Sequence, residues 1–522
     1  MHAAGEALAV EACCQRRAQS LPPAAAAAAG GTATLQQPDG DQQQRTALLD
    51  WLVRSQGAEP SCLKVERRWR DEAFGWCLVA TADIEPEEVI ISVPLTAAIT
   101  SEGADESRWS AALAGQLLQR RAAAEAAAAA GDAAAAQRAG QPWLGALPAH
   151  VDLPWLYWSE AELAELQDED TIAEARQFRA MFEAACEELG GAQSRDAVAW
   201  ALSLVHSRSF VELSAHVWCP GIDLCNHTLQ PNADIRCIHS PGSCQGGAAV
   251  DEVCPPEAAA AARQDPSRFE LIAGEAGIAA GEEVTISYGS WPSDVFLLFF
   301  GFAPADNPND SAVLFYDLFD LASFKLRSVG AAGDPLRSEG RAGHAEQAQQ
   351  EELGSEEAEW EAVAAEVQRL EAEVGPQEGF FRMVATANGL DARLMQAAQA
   401  LLAAGRGSPD GRPMSLAEFL QRRCQQLLAA YPTTLEQDEE LLARLEGQLA
   451  GQQAQQQSAT AGQQASQQAF TPAAAAVVPD GAEQPLRLAQ LTTAVMYRLG
   501  KKRVLRSTLA AAQAALQQGG SS

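Results

Sequence analysis

The stretch Gly221-Ile222-Asp223-Leu224-Cys225-Asn226-His227-Thr228-Leu229-Gln230-Pro231-Asn232 restricts this chain more than any other segment. A second signal, Gly281-Glu282-Glu283-Val284-Thr285-Ile286-Ser287-Tyr288-Gly289, carries a tyrosine sixty-one residues after His227. Taken singly these residues say little. Asp223 reads as a turn residue, His227 as a buried imidazole, and a tyrosine on a strand is usually core. Their order, and their place among the elements around them, make them informative.

Ordered sequence begins near Thr46, where Leu48, Leu49, Trp51 and Leu52 share one helix face. Phe74-Gly75-Trp76-Cys77-Leu78-Val79-Ala80 reads as a turn and strand, and Val89–Pro94 as a second strand. The turn Asp83–Glu88 between them predicts a hairpin. Residues 105–205 are helical in character, with an Ala-rich low-complexity stretch at 121–140. Ser159 with Glu162 marks a helix start. Val198, Leu202 and Val205 have helical spacing and run into Ser207-Arg208-Ser209-Phe210. Strands return at Ala233–Ile238, Phe269–Ala273 and Glu283–Tyr288, with Gly281 in the turn before the last. After Pro304 the pattern is mostly helical, broken by loops near 330–360 and 448–483.

Composition narrows the function classes. At 522 residues the chain can hold more than one core, and 47% hydrophobic content marks it as globular, although alanine inflates that figure. The net charge of −32 repels phosphate backbones; it either serves solubility alone or suits a basic protein substrate or a lysine-presenting segment. Eleven cysteines, an odd number, occur without any Cys-x-x-Cys, which predicts reduced thiols, an intracellular setting and no zinc. The longest apolar run, Val295–Phe302, is too short to span a membrane. Residues 1–45 are rich in alanine and glutamine and fit either a transit peptide or an ordinary disordered tail.

In this order the segments resemble the SET-domain protein methyltransferases, most nearly the plant-type Rubisco large-subunit lysine methyltransferase group. Phe74-Gly75-Trp76 aligns with the family's cofactor-contacting turn, with Cys77 where a second glycine is common. Ser207-Arg208-Ser209-Phe210 resembles its Ser-Arg-Ser/Thr-Phe segment, and Leu297–Phe302 its Leu-Leu-x-Tyr-Gly-Phe, with Phe300 in place of the tyrosine. Asn307-Pro308-Asn309-Asp310, Tyr431–Leu442 and Ala494–Leu505 match the helical domain that follows.

The resemblance implies an α+β architecture: a β-rich SET fold with a pseudoknot and a helical insert, over residues 46–303, then an all-α substrate-binding domain over 304–515. It implies S-adenosylmethionine as cofactor, held by Phe74, Gly75, Trp76, Arg208, Asn226, His227 and Tyr288. It places Arg208, Asp223 and Phe300 at the substrate lysine and makes Tyr288 the catalytic residue, with no metal. An arginine such as Arg208 can pair with the carboxylate of an amino-acid-like cofactor. The implied reaction is in-line methylation of a neutral lysine amine on a non-histone protein; the monomer is favoured, and the compartment is the chloroplast or the cytoplasm, with the chloroplast favoured. A non-catalytic SET-like binding module and a protein-histidine methyltransferase are the alternatives. Neither the acceptor protein nor the number of methyls added is legible.

Overall fold

The computed structural model describes residues 42–58, 64–71, 75–101, 108–149, 151–189, 193–212, 215–238, 267–330, 360–373, 382–403, 414–461 and 486–519. The expected tail and loops fall largely outside these residues, and so does Phe74. The strands, in chain order, are β1 (Val65–Asp71), β2 (Gly75–Ala80), β3 (Val89–Pro94), β4 (Ile99–Thr100), β5 (Phe210–Glu212), β6 (Ala215–Trp218), β7 (Asn226–His227), β8 (Ala233–Ile238), β9 (Arg268–Ala273), β10 (Glu283–Ile286), β11 (Ser311–Phe315), β12 (Met383–Thr386) and β13 (Gly389–Leu390).

Three small sheets, in the orders β1-β2-β10-β7, β3-β9-β8 and β4-β6-β5, surround the first core. The hairpin expected between β2 and β3 does not form. Strand β2 lies between β1 and β10, while β3 pairs with β9. Burial explains the difference. Cys77, Leu78, Val79 and Ala80 are all completely enclosed, so β2 needs cover on both sides and takes an interior place. The linking turn is instead strapped to the turn before β10 by the Ile84–Ile278 bridge and by Gly281 N donating to Ala80 O at 2.7 Å. Strand β1, VERRWRD, is the partner that sequence reading missed; its charges hide the strand alternation of Val65, Arg67 and Trp69.

The insert packs helices Trp109–Ala129, Glu169–Leu189 and Arg195–Arg208 into that same core. Within it, the low-complexity stretch 121–140 is folded, as the end of one helix and the short helix Ala133–Arg138 capped by Asp132. Alanine is the strongest helix former, so a tract of it needs little packing to stay helical. The Ser159–Glu162 capping box is present with both of its hydrogen bonds.

The C-terminal region is mainly helical, with helices Leu318–Gly330, Ala392–Ala403, Leu416–Ala430, Leu435–Ala461 and Leu488–Gly519. It adds a small antiparallel sheet, β11-β12-β13, that the helical reading did not include. The helix Leu435–Ala461 also runs into the segment expected to be a loop from 448. The long helix Leu488–Gly519 joins the parts: Ala494 and Tyr497 enter the first core, Val504, Leu505 and Leu509 the second, and Val495 and Leu499 a third with Leu445. Among the described residues, no helix is long and apolar enough to cross a membrane.

One core group makes the fold acid-sensitive. His206 is only 6% exposed, stands about 5 Å from the rings of Trp109 and Trp155, and has no hydrogen-bond partner at Nδ1. Burial, helped by His216, lowers its pKa to about 3. The unfolded chain therefore takes up a proton below pH ~6.5 that the folded chain refuses, and stability falls as pH drops through that window. The loss attributable to His206 between pH 7 and pH 5 is roughly 2 kcal/mol. Urea midpoints at the two pH values should converge in His206→Gln relative to the unaltered protein.

Candidate active site

The site is built where β10 lies between β2 and the two-residue β7. Thr285 pairs with Asn226 and Ile286 with His227, in parallel register. Asn232 secures this arrangement from one side chain: its Oδ1 accepts from Thr285 N at 2.9 Å, and its Nδ2 donates to Glu283 O at 2.8 Å. The two signature segments are thereby brought together although they are distant in sequence.

Past β10 the chain leaves the sheet, and Tyr288 is clamped at two points. Its backbone N–H donates to His227 Nδ1 at 3.1 Å, and its hydroxyl donates to Cys225 O at 2.8 Å. The tyrosine thus bridges the residues on either side of Asn226. Burial raises its pKa above the ordinary tyrosine value, against the pull of nearby Arg208, so the phenol keeps its proton. His227 is driven to about 4 by burial and is a neutral imidazole. With Nδ1 accepting from Tyr288, its proton sits on Nε2, which is buried without a partner.

Aromatic rings wall this position. Phe300 lies 4.8 Å from Tyr288, and Phe296 4.7 Å from His227, centroid to centroid. Both phenylalanines belong to the π-helix Phe296–Phe300, a wide turn of the kind that often marks functional sites. It ends at Gly301, where φ is +79° and a Cβ would meet Asp152 O at 2.9 Å, so only glycine closes this turn without strain. Phe300 supplies a ring and no hydroxyl.

Arg208 ends the helix Arg195–Arg208, and the serines flanking it explain its motif. Ser207 Oγ donates to Ser203 O at 2.8 Å and Ser209 Oγ to Val205 O at 2.7 Å, which pins the helix end and aims the arginine. Arg208 donates to the main-chain oxygen of Asp223, while its own Nε is buried without a partner.

Asp223, read from sequence as a wall of the lysine channel, has its carboxylate held by donors of the protein itself. Its side chain is fully enclosed and accepts from Gly221 N at 2.8 Å, Trp218 Nε1 at 2.8 Å and Trp143 Nε1 at 3.4 Å. It organises the turn that presents Cys225 and Asn226. Gly221, at φ +90°, would place a Cβ 2.7 Å from Leu52 Cδ1. Gly221→Ala should destabilise the fold by about 2 kcal/mol through strain and overpacking, measured by urea unfolding.

Asn226 donates from Nδ2 to Glu283 Oε1 at 2.9 Å, and Glu283 Oε2 also accepts from Arg70 at 2.8 Å. Trp76 lies beneath the Arg67 guanidinium, 3.7 Å from ring centroid to the central carbon. Cys77 is fully buried, so the side chain standing where glycine is common is absorbed by the core. Tyr288 touches both His227 and Phe300, Asn226 adjoins them on β7, Arg208 reaches the Asp223 carbonyl, and Gly75 and Trp76 lie on β2 beside β10. Arg67, Glu283 and the Cys225 carbonyl are participants that sequence reading did not assign.

Comparison with known proteins concerns the domains and the fold. A family model described as the SET domain matches residues 75–289, and one described as Rubisco LSMT substrate-binding matches 414–505. The chain belongs to the SET-domain family, in the group that joins this domain to a Rubisco LSMT substrate-binding domain. Among solved structures it is similar to Rubisco LSMT bound to sinefungin and monomethyllysine, with 16% identity, TM-score 0.53 and coverage of 91% of this chain and 92% of the other. It is also similar to the LSMT SET domain bound to lysine and AdoHcy, with 17% identity, TM-score 0.52 and coverage of 92% and 93%. A third similar structure, Rubisco LSMT bound to AdoMet, has 16% identity, TM-score 0.50 and coverage of 90% and 92%. These likenesses concern the fold. No curated protein matches the chain.

Proposed function

We propose that this protein is an S-adenosylmethionine-dependent protein-lysine N-methyltransferase acting on a non-histone protein. The observation that carries the reading is the clamp on Tyr288, fixed by His227 and Cys225 beside buried nitrogens of Arg208 and His227 that lack partners. Unpartnered buried donors are costly, and a polar ligand beside them removes that cost. Similar structures hold AdoMet, AdoHcy, lysine and monomethyllysine, which supports the same pairing of cofactor and acceptor here.

The residues that would hold the cofactor are Arg208, Asn226, His227 and the main chain at Gly75 and Trp76. When bound, S-adenosylmethionine supplies a methyl carbon on a sulfonium that leaves as a neutral thioether. Every other contribution comes from the protein. The rings of Phe296, Phe300 and Tyr288 make an apolar surround that disfavours an ammonium, so an incoming lysine amine sheds its proton more readily than in water. The protonated Tyr288 hydroxyl orients that amine and serves as no base. Holding amine and methyl in line provides most of the acceleration. The substrate protein would engage the helical domain matched by the substrate-binding model.

Incubation with methyl-labelled S-adenosylmethionine and a protein extract, followed by total hydrolysis, tests the proposal. Label is expected in Nε-methylated lysine. Label confined to methylhistidine would overturn the lysine assignment.

A further inference from the structure

Two half-buried guanidinium groups, each with a buried and unpartnered Nε, lie near one enclosed carboxylate, that of Asp223. Arg67 projects from β1, sandwiched over Trp76, and among the described residues it makes no hydrogen bond or ion pair; its Nε is buried and unpartnered. Arg208 Nε is buried and unpartnered as well. Burial first, then the positive charge of Arg208, brings the Arg67 pKa down to about 10, with Asp223 offsetting part of the effect. Asp223 already accepts from Gly221, Trp218 and Trp143, and stands 3.9 Å from Arg208. The next acids along are committed elsewhere: Glu66 to Arg68, and Glu283 to Arg70 and Asn226. Two cations near one shared carboxylate are left with a buried Nε–H apiece that has no acceptor. Buried donors are seldom kept without one.

We infer that Arg67, stacked on Trp76, acts with Arg208 as a two-guanidinium seat for the α-carboxylate of the cofactor's amino-acid portion. This rests on the proposed function and adds to it a positioning residue on β1, an element whose role was hidden by its charged sequence. The chemistry fits. A guanidinium offers a planar fork to a carboxylate, and the indole face fixes that fork from behind. Trp76 thereby does what a bare glycine turn cannot: it holds the side chain that reads the ligand's charge.

The test compares two ligands that share adenosine and a thioether. S-adenosylhomocysteine carries the carboxylate, and 5′-methylthioadenosine lacks it. Calorimetric titration of Arg67→Met should show at least tenfold weaker binding of the first and little change for the second. Arg67→Lys should recover part of the loss. The methionine keeps an apolar stem against Trp76, and its thermal unfolding should stay close to that of the unaltered protein. Equal affinity of both proteins for S-adenosylhomocysteine would overturn the inference while leaving the proposed function standing. An equal fall for both ligands would also overturn it, by making Arg67 structural. If the unaltered protein bound neither nucleoside, the proposed function would fall and this inference with it.

Discussion

Tyr288→Phe should lower methyl transfer on the order of a hundredfold while leaving S-adenosylhomocysteine affinity unchanged. The reason lies in what the hydroxyl does. It donates to Cys225 O at 2.8 Å, and its buried phenol stays protonated. Removing it takes away a fixed polar atom beside the reacting centre and leaves the ring contacts to His227 and Phe300 in place. The backbone bond from Tyr288 N to His227 Nδ1 also survives, so the cradle keeps its shape. The orphaned Cys225 carbonyl should cost about 1–3 kcal/mol of stability. Single-turnover rates and calorimetry separate the two effects. Unchanged turnover would sink the assignment of Tyr288.

Asp438→Ala should produce the largest loss of stability, about 3–5 kcal/mol. Asp438 has a fully enclosed side chain and neutralises two cations of the long C-terminal helix. Arg498 Nη2 donates to Oδ1 at 2.8 Å, Lys502 Nζ donates to Oδ2, and Thr433 Oγ1 donates to Oδ1 at 2.9 Å. Arg498 itself is 1% exposed and reaches back to the Glu165 carboxylate at 2.8 Å, on the insert of the SET domain. Truncation leaves Lys502 without its carboxylate and Arg498 with Glu165 alone, where the helix Leu488–Gly519 joins the cores. Urea unfolding should show a lower midpoint for both parts together, because one helix serves them both. A shift below about 1 kcal/mol would place the pair in solvent rather than in the interior.

That cluster illustrates how the sequence was legible. Tyr431–Leu442 and Ala494–Leu505 stood out as separate structural motifs, and in the structure their charges meet, Asp438 with Arg498 and Lys502. Thr434 and Gln437 cap the helix as their spacing indicated, with Gln437 N donating to Thr434 Oγ1 at 3.2 Å. The Asn226-His227 and Tyr288 segments likewise became one site once β7 lay against β10. Order and residue type were visible; the partner of each residue was not.

The parts that escaped share a physical cause. Strand β1 is mostly charged, so hydrophobic alternation could not reveal it, and with it went Arg67. The β2–β3 hairpin failed because local turn chemistry gave way to long-range burial of β2 on both sides. The alanine tract at 121–140 carried too little pattern to distinguish a helix from filler. The donors to Asp223 are a main-chain amide and two indoles, which sequence spacing could not have placed.

The most direct test of the central claim, that Arg208, Asn226, His227 and Tyr288 form one cofactor cradle, is calorimetric titration with S-adenosylhomocysteine. It should be carried out on the unaltered protein and on Asn226→Ala. One saturable site is expected, weakened at least tenfold in the variant, where Glu283 loses the Asn226 amide. Absence of saturable binding to the unaltered protein, or equal affinity in both, would contradict the claim.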